Sequence, residues 1–256
     1  MRFRPCIDIH NGSVKQIVGG SLKDVGDQAE NNYVSQYDGA YYAKMYKKDG
    51  FTGGHIILLN PRESEWYQRD VKQALGALQA YPGGMQIGGG ICPENAQDFL
   101  EMGASHVIVT SYVFRNGILD YDRLKKLVSK VGKKHLVLDL SCRKYADGYY
   151  IMTDRWQKKT QICLNEQTVD DLRNYCDEFL IHAVDVEGKQ NGIERSLISF
   201  LGQLSECTVT YAGGIHGRED LEYIEKLGNG QLDFTIGSAL DLFGGSLPYK
   251  DMQNYR

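Results

Sequence analysis

Short runs of aliphatic residues recur along the chain at residues 4–9, 55–59, 85–88, 106–110, 135–140, 179–184, 208–212 and 233–236. Most are apolar at successive positions, the pattern of strands buried on both faces. Between them the period lengthens to that of amphipathic helices, at 41–48, 70–78, 95–102, 119–131, 168–176, 193–204 and 218–227. A short helix-like stretch follows the last strand at 239–243. Regular strand–helix alternation implies parallel strands joined by helical crossovers. Eight such units in 256 residues predict an α/β fold, a closed (β/α)8 or TIM barrel occupying residues 1–256 as one domain. The rival is an open doubly wound sheet, but the first βα turn lacks G-x-G-x-x-G.

The two halves of the chain repeat each other. Cys-Ile-Asp8-Ile-His returns as Val-Leu-Asp139-Leu-Ser, 131 residues later. Gln-Ile-Gly-Gly-Gly90-Ile returns as Thr-Tyr-Ala-Gly-Gly214-Ile after 124, and Val-Ile-Val-Thr-Ser111 as Phe-Thr-Ile-Gly-Ser238 after 127. Three landmarks in one order, each offset by about half the chain, predict duplicated (β/α)4 half-barrels. The period is too long for a solenoid. Half a barrel leaves open sheet edges, so the two copies are expected to close on each other.

Composition then narrows the class. Glycine is in excess, 29 residues of 256, so many backbone positions turn tightly or approach something closely. Hydrophobic residues at 42% and only five prolines exclude a disordered or proline-rich chain. A net charge of −4 without a basic block argues against nucleic acid as partner. No signal-peptide core or membrane-spanning run is visible, which points to a cytoplasmic enzyme, expected to be a monomer. The six cysteines form no C-x-x-C pair and the six histidines no H-x-x-x-H, so no metal or other cofactor is expected.

Each repeated landmark stands at the C-terminal end of a strand, where barrel active sites are built. Gly88, Gly89 and Gly90 end the third strand, and Thr110 and Ser111 the fourth. Gly213 and Gly214 end the seventh, Gly237 and Ser238 the eighth. Glycine turns aim bare backbone N–H groups at a ligand, and such nests favour anions. Tight turns without a ligand would explain one pair; two matched sets instead predict a small substrate phosphorylated at both ends. Asp8 and Asp139 occupy equivalent turns and should face each other across the barrel axis. A carboxylate there is costly unless paired or functional. Two with differently tuned pKa values can serve as base and acid. Arg143 or Lys144 could instead merely partner Asp139, and Arg143 is a candidate substrate contact.

Together these residues resemble the ProFAR isomerase family of histidine biosynthesis, over essentially the whole chain. The likeness is carried by Cys-Ile-Asp8-Ile-His-Asn-Gly-Ser-Val-Lys-Gln-Ile-Val-Gly-Gly, Gln-Ile-Gly-Gly-Gly-Ile, Leu-Asp139-Leu-Ser-Cys-Arg and Tyr-Ala-Gly-Gly-Ile. Asp-Leu-Ser-Cys-Arg-Lys and His-Ala-Val-Asp185-Val-Glu187-Gly resemble its eukaryotic branch. The resemblance implies a cofactor-free Amadori rearrangement of a bisphosphorylated aminoaldose to an aminoketose. It implies Asp8 as the base at C2 and Asp139 as the acid or a partner in ring opening. It places one phosphate on Gly89, Gly90, Thr110 and Ser111, the other on Gly213, Gly214, Gly237 and Ser238. It also implies that Trp156 stacks on the imidazole carboxamide, although a tryptophan packed over the first loop is the plainer reading.

One segment departs from the family. Bacterial members carry Thr-Asp-Ile-x-x-Asp-Gly-Thr after the sixth strand, with the second Asp assigned as the acid. Here Val184-Asp185-Val186-Glu187-Gly188-Lys189 reads as shorter and without that spacing, so the acid stays open among Asp139, Asp185 and Glu187. Gly20 belongs to a polar segment, 19–37, that either closes on the substrate or is a surface insertion. Two rival functions remain. The sister cyclase follows its first aspartate with Gly-x-Val-Val-Lys-Gly, unlike Gly12-Ser-Val-Lys-Gln here; a non-catalytic phosphometabolite-binding barrel would not need both carboxylates.

Overall fold

The computed structural model describes residues 1–18, 21, 29–154, 156–189, 191–204 and 206–256. Gly20 and residues 19 and 22–28 of the polar segment around it lie outside the described residues. Eight strands carry the fold: β1 (Cys6–His10), β2 (Gly54–Leu58), β3 (Met85–Gly88), β4 (Val107–Val109), β5 (Leu136–Asp139), β6 (Glu178–His182), β7 (Thr208–Ala212) and β8 (Asp233–Thr235). Each pairs in parallel with its neighbour in sequence, from Cys6 opposite His55 to Ala212 opposite Thr235. The outer edges meet where Phe3 bridges Phe234. There the Arg4 N–H donates to the Phe234 carbonyl at 2.8 Å, and the Phe234 N–H to that of Arg2 at 3.0 Å. The barrel is closed, and its strands are buried on both faces as their continuous apolar runs require.

The seam is fastened at the N-terminal ends of the strands. The buried Arg4 guanidinium lies 2.8 Å from Asp233 and 3.6 Å from Glu178. Gln86 donates to the other oxygen of Glu178 at 2.7 Å. These groups join β3, β6, β8 and the segment before β1, so the charged partners offset one another's desolvation.

Around the barrel lie α1 (Gly39–Asp49), α2 (Tyr67–Ala80), α3 (Ala96–Glu101), α4 (Tyr121–Val131), α5 (Glu166–Leu172), α6 (Arg195–Leu201) and α7 (Arg218–Leu227). Local chemistry sets their limits. Asp38 caps α1 by accepting the Tyr41 N–H at 2.8 Å, and Gly50 ends it in the left-handed region at φ 80°. Asp120 likewise caps α4, whose Leu124, Leu127 and Val131 form the stripe that faces the barrel. After β8 the eighth helix is reduced to 3-10 turns at Asp241–Phe243 and Tyr249–Tyr255.

Two additions were not visible in the hydrophobic pattern. Strands Ser13–Ile17 and Asn31–Val34 extend β1 as an antiparallel hairpin. Strands Cys142–Tyr145, Gly148–Thr153 and Lys158–Cys163 form a separate antiparallel sheet between β5 and α5. Both follow the C-terminal ends of their strands, and both contribute walls to the barrel mouth.

Candidate active site

A cavity of about 530 Å³ opens at the C-terminal ends of the strands. Its floor carries Asp8 from β1, Asp139 from β5 and His182 from β6. Gly88, Gly89, Gly90, Thr110 and Ser111 line it on one side, Gly213, Gly214, Gly237 and Ser238 on the other. Trp156, Gln157 and Lys158, from the added sheet, complete the wall.

The glycine turns are there because nothing else fits. Gly89 has φ +96°, and a Cβ on it would stand 2.1 Å from the Leu58 carbonyl oxygen. On the other side Gly214, the counterpart of Gly90, has φ +75°, with a Cβ 2.1 Å from the Gly192 carbonyl oxygen. Close packing therefore accounts for both glycines whether or not an anion binds, which makes them poor single tests of phosphate binding. Arg62, which the sequence reading passed over, brings a cation to the first set: its aliphatic stem lies against Gly90 and its guanidinium reaches Cys92 Sγ at 2.9 Å. Lys158 also lines the cavity, with its ammonium 2.8 Å from Asp154.

The two aspartates share a fold position and differ in surroundings. Burial and the nearby Glu187 charge push Asp8 up to about 7, against the opposing pull of His182 and of the Gln16 amide. Gln16 Nε2 donates to Asp8 Oδ2 at 3.2 Å. Asp139 is also buried, which alone would raise it, but His182 and Ser141 bring it below the ordinary carboxylate range. Ser141 donates its backbone N–H to Asp139 Oδ1 at 2.8 Å and its hydroxyl to the same oxygen. Asp8 is thus poised near neutrality while Asp139 stays ionised.

His182 stands between the aspartates and the tryptophan. Its Nδ1 is 3.0 Å from Ser141 Oγ and 3.8 Å from Asp139 Oδ1, and its ring centroid is 5.3 Å from that of Trp156. Burial lowers its pKa, but the Asp139 hydrogen bond and the charges of Asp139, Glu187 and Asp8 outweigh this and raise it overall. His55, across the barrel on β2, is held neutral by burial and by His182, pushed down to about 3. Trp156 itself adopts φ 66° beside Asp154 at φ 51°, two non-glycine residues in the left-handed region. Such backbone persists only where its surroundings enforce it; here Ser111 Oγ accepts the Asp154 N–H at 2.9 Å, tying this turn to the β4 end.

The structure does not bring Asp185 or Arg143 into this cavity. They pair with each other at 3.0 Å, and Asp185 also accepts the Lys144 N–H at 3.1 Å. Arg143 therefore partners Asp185 and not Asp139. Glu187 does line the cavity, with burial raising its carboxyl above the usual range. The spacing judged absent in the sequence is present when counted from the end of β6. His182 stands in the place of the Thr of Thr-Asp-Ile-x-x-Asp-Gly-Thr, and Glu187-Gly188 in that of its second Asp-Gly.

Fold and site together define a (β/α)8 barrel with an acid–base floor between two glycine-lined turns. The model of the family described as Histidine biosynthesis protein matches residues 2–247. The chain belongs to that family. A chloroplastic Medicago truncatula protein is 52% identical over 98% of this chain and 80% of its own length. Proteins of Neurospora crassa and Saccharomyces cerevisiae are 44% and 43% identical, over 95% and 96% of this chain and 93% and 94% of theirs. All three bear the name 1-(5-phosphoribosyl)-5-((5-phosphoribosylamino)methylideneamino)imidazole-4-carboxamide isomerase.

Proposed function

We infer that the chain is an isomerase of histidine biosynthesis, converting the bisphosphorylated aminoaldose ProFAR to its aminoketose by an Amadori rearrangement. The full-length similarity to isomerases of that name supports this reading over the sister cyclase. The observation that carries it on chemical grounds is the pair of carboxylates, one near pH 7 and one ionised, set between two matched sets of glycine turns. An aldose–ketose isomerisation is redox-neutral and needs only proton transfers and anchoring of both phosphates.

Asp8 is the base that takes the C2 proton, since a carboxyl near 7 is ionised in time to accept it and acidic enough to return it. The phosphates are read as sitting at Gly89, Gly90, Thr110 and Ser111 with Arg62, and at Gly213, Gly214, Gly237 and Ser238. Trp156 is read as the face on which the imidazole carboxamide stacks. The proton that opens the ribose ring comes from the side of the cavity that holds Asp139 and Glu187. The barrel works as one domain, a monomer in the cytoplasm; among the described residues no helix is long and apolar enough to cross a membrane. Since the Medicago relative is named chloroplastic, fractionation of the cells tests the compartment and gel filtration the monomer.

Incubation of the purified protein with ProFAR tests the activity directly. Formation of the aminoketose without added ammonia is expected. Turnover only of the ketose with ammonia would indicate the cyclase, and binding without turnover a sensor.

A further inference from the structure

We propose that His182 is the proton donor that opens the ribose ring, and that Ser141 and Asp139 are the positioning residues that hold it for that task. This rests on the isomerase reading above.

The geometry fixes which nitrogen does the work. The Ser141 hydroxyl has a single proton, and it is spent on Asp139 Oδ1. Its contact with His182 at 3.0 Å must then run the other way, with Nδ1–H donating to Oγ. Asp139, Ser141 and His182 form one chain of hydrogen bonds anchored by a carboxylate. With Nδ1 always protonated, Nε2 is the nitrogen that gains and loses the exchangeable proton. His182 lines the cavity, which sets its ring beside a bound ligand. The charged groups facing the ring are Asp139 on β5, Asp8 on β1 and Glu187 after β6, with neutral His55 at a ring separation of 6.3 Å on β2. All three charges are negative, so the imidazolium is the form the site favours.

The step balances as follows. Nε2–H of the imidazolium passes its proton to the ribose ring oxygen while the bond from C1 to that oxygen breaks toward oxygen. The amine lone pair forms C=N at C1, and the positive charge moves from His182 to the iminium. Asp8 carboxylate removes the C2 proton, and that C–H pair becomes the C1=C2 bond of a neutral enaminol. Asp8 then returns its proton to C1, the C2 hydroxyl gives its proton to Nε2, and C2 becomes the ketone. Both residues end in their starting states.

The test is the pH dependence of kcat/KM on ProFAR, compared with NMR titration of the histidine rings. For the unmodified protein, activity is expected to rise as Asp8 ionises and fall as His182 loses its proton. His182→Gln should lower kcat by about 100-fold or more with little change in KM, and lose the alkaline limb. Ser141→Ala should retain much of the turnover but move the alkaline limb to lower pH. In that variant the His182 ring titration should move by the same amount, a correspondence that loss of packing alone would not produce. An alkaline limb preserved in His182→Gln, or abolished by Glu187→Gln instead, overturns the proposal. If His182→Gln fails to fold, an unmoved limb in Ser141→Ala overturns it. Absence of aminoketose from the unmodified protein would sink the isomerase reading itself, a distinct outcome.

Discussion

Gln16 holds Asp8 from above: its Nε2 donates to Oδ2 at 3.2 Å, and its buried side chain leaves the carboxylate one oxygen for a ligand. The amide stabilises the ionised form of Asp8, so removing it favours the proton. Gln16→Leu is therefore expected to move the acidic limb of kcat/KM to higher pH. Gly237→Ala should do the same at a distance, because its Cβ would fall 2.0 Å from Gln16 Oε1 and displace the amide. A pH–rate profile of each variant checks both; an unmoved acidic limb counts against Asp8 as the group that titrates there.

Asp8→Asn should lose turnover by about 100-fold or more, with KM changed much less. It should also be more stable than its parent at pH 8. The folded carboxyl keeps its proton up to about 7, whereas an unperturbed one releases it near 3.8. Between those values the folded state binds more protons, so stability falls as pH rises through that window and the loss is complete above it. The gap amounts to on the order of 4 kcal/mol as an upper bound, which Asn does not incur. Thermal melts should show a Tm several degrees higher for Asp8→Asn at pH 8, the difference shrinking as pH is lowered toward 4.

Arg62→Met removes the cation beside Gly90 while keeping the aliphatic stem that packs there. A charge-assisted contact is worth about 1.5–3 kcal/mol, so KM for ProFAR should rise about 10- to 100-fold. Steady-state kinetics should show kcat within a few-fold of its original value. Equal losses in kcat and kcat/KM would place Arg62 at the reacting centre instead.

Arg4→Met strips the floor of the barrel of its buried cation and leaves Asp233 and Glu178 facing each other. Breaking a buried pair in this way costs about 3–5 kcal/mol. Urea unfolding should report a lower midpoint, with activity per folded molecule unchanged because the cavity lies at the opposite end of the strands.

The barrel was legible because its strands are buried on both faces and read as uninterrupted apolar runs: 85–88 and 208–212 coincide with β3 and β7. The hairpin and the added sheet were not, since Gly148–Thr153 and Lys158–Cys163 mix polar residues and tyrosines on half-exposed strands. Asp8 and Asp139 could be paired from the repeat, as could the two sets of glycines. His182 and Gln16 could not, because neither belongs to one of the repeated landmarks. Arg62 was hidden for a similar reason: an exposed arginine in a loop looks like any other until the backbone folds it over Gly90.

The seam between β8 and the first residues of the chain has a bearing on synthesis. Arg2 and Asp233, joined at 2.8 Å from N–H to carboxylate, are 231 positions apart. A ribosome delivers them 231 residues apart, so the free edge beside β1 waits through that much synthesis for its partner. An edge left waiting is an invitation to wrong pairing. Among the described residues the antiparallel hairpin strand Ser13–Ile17 already pairs with Ile9 and His10, and it needs only nearby sequence to form. That gives the nascent first strand an early local companion at its upper end, while the lower end stays open until the last strand emerges.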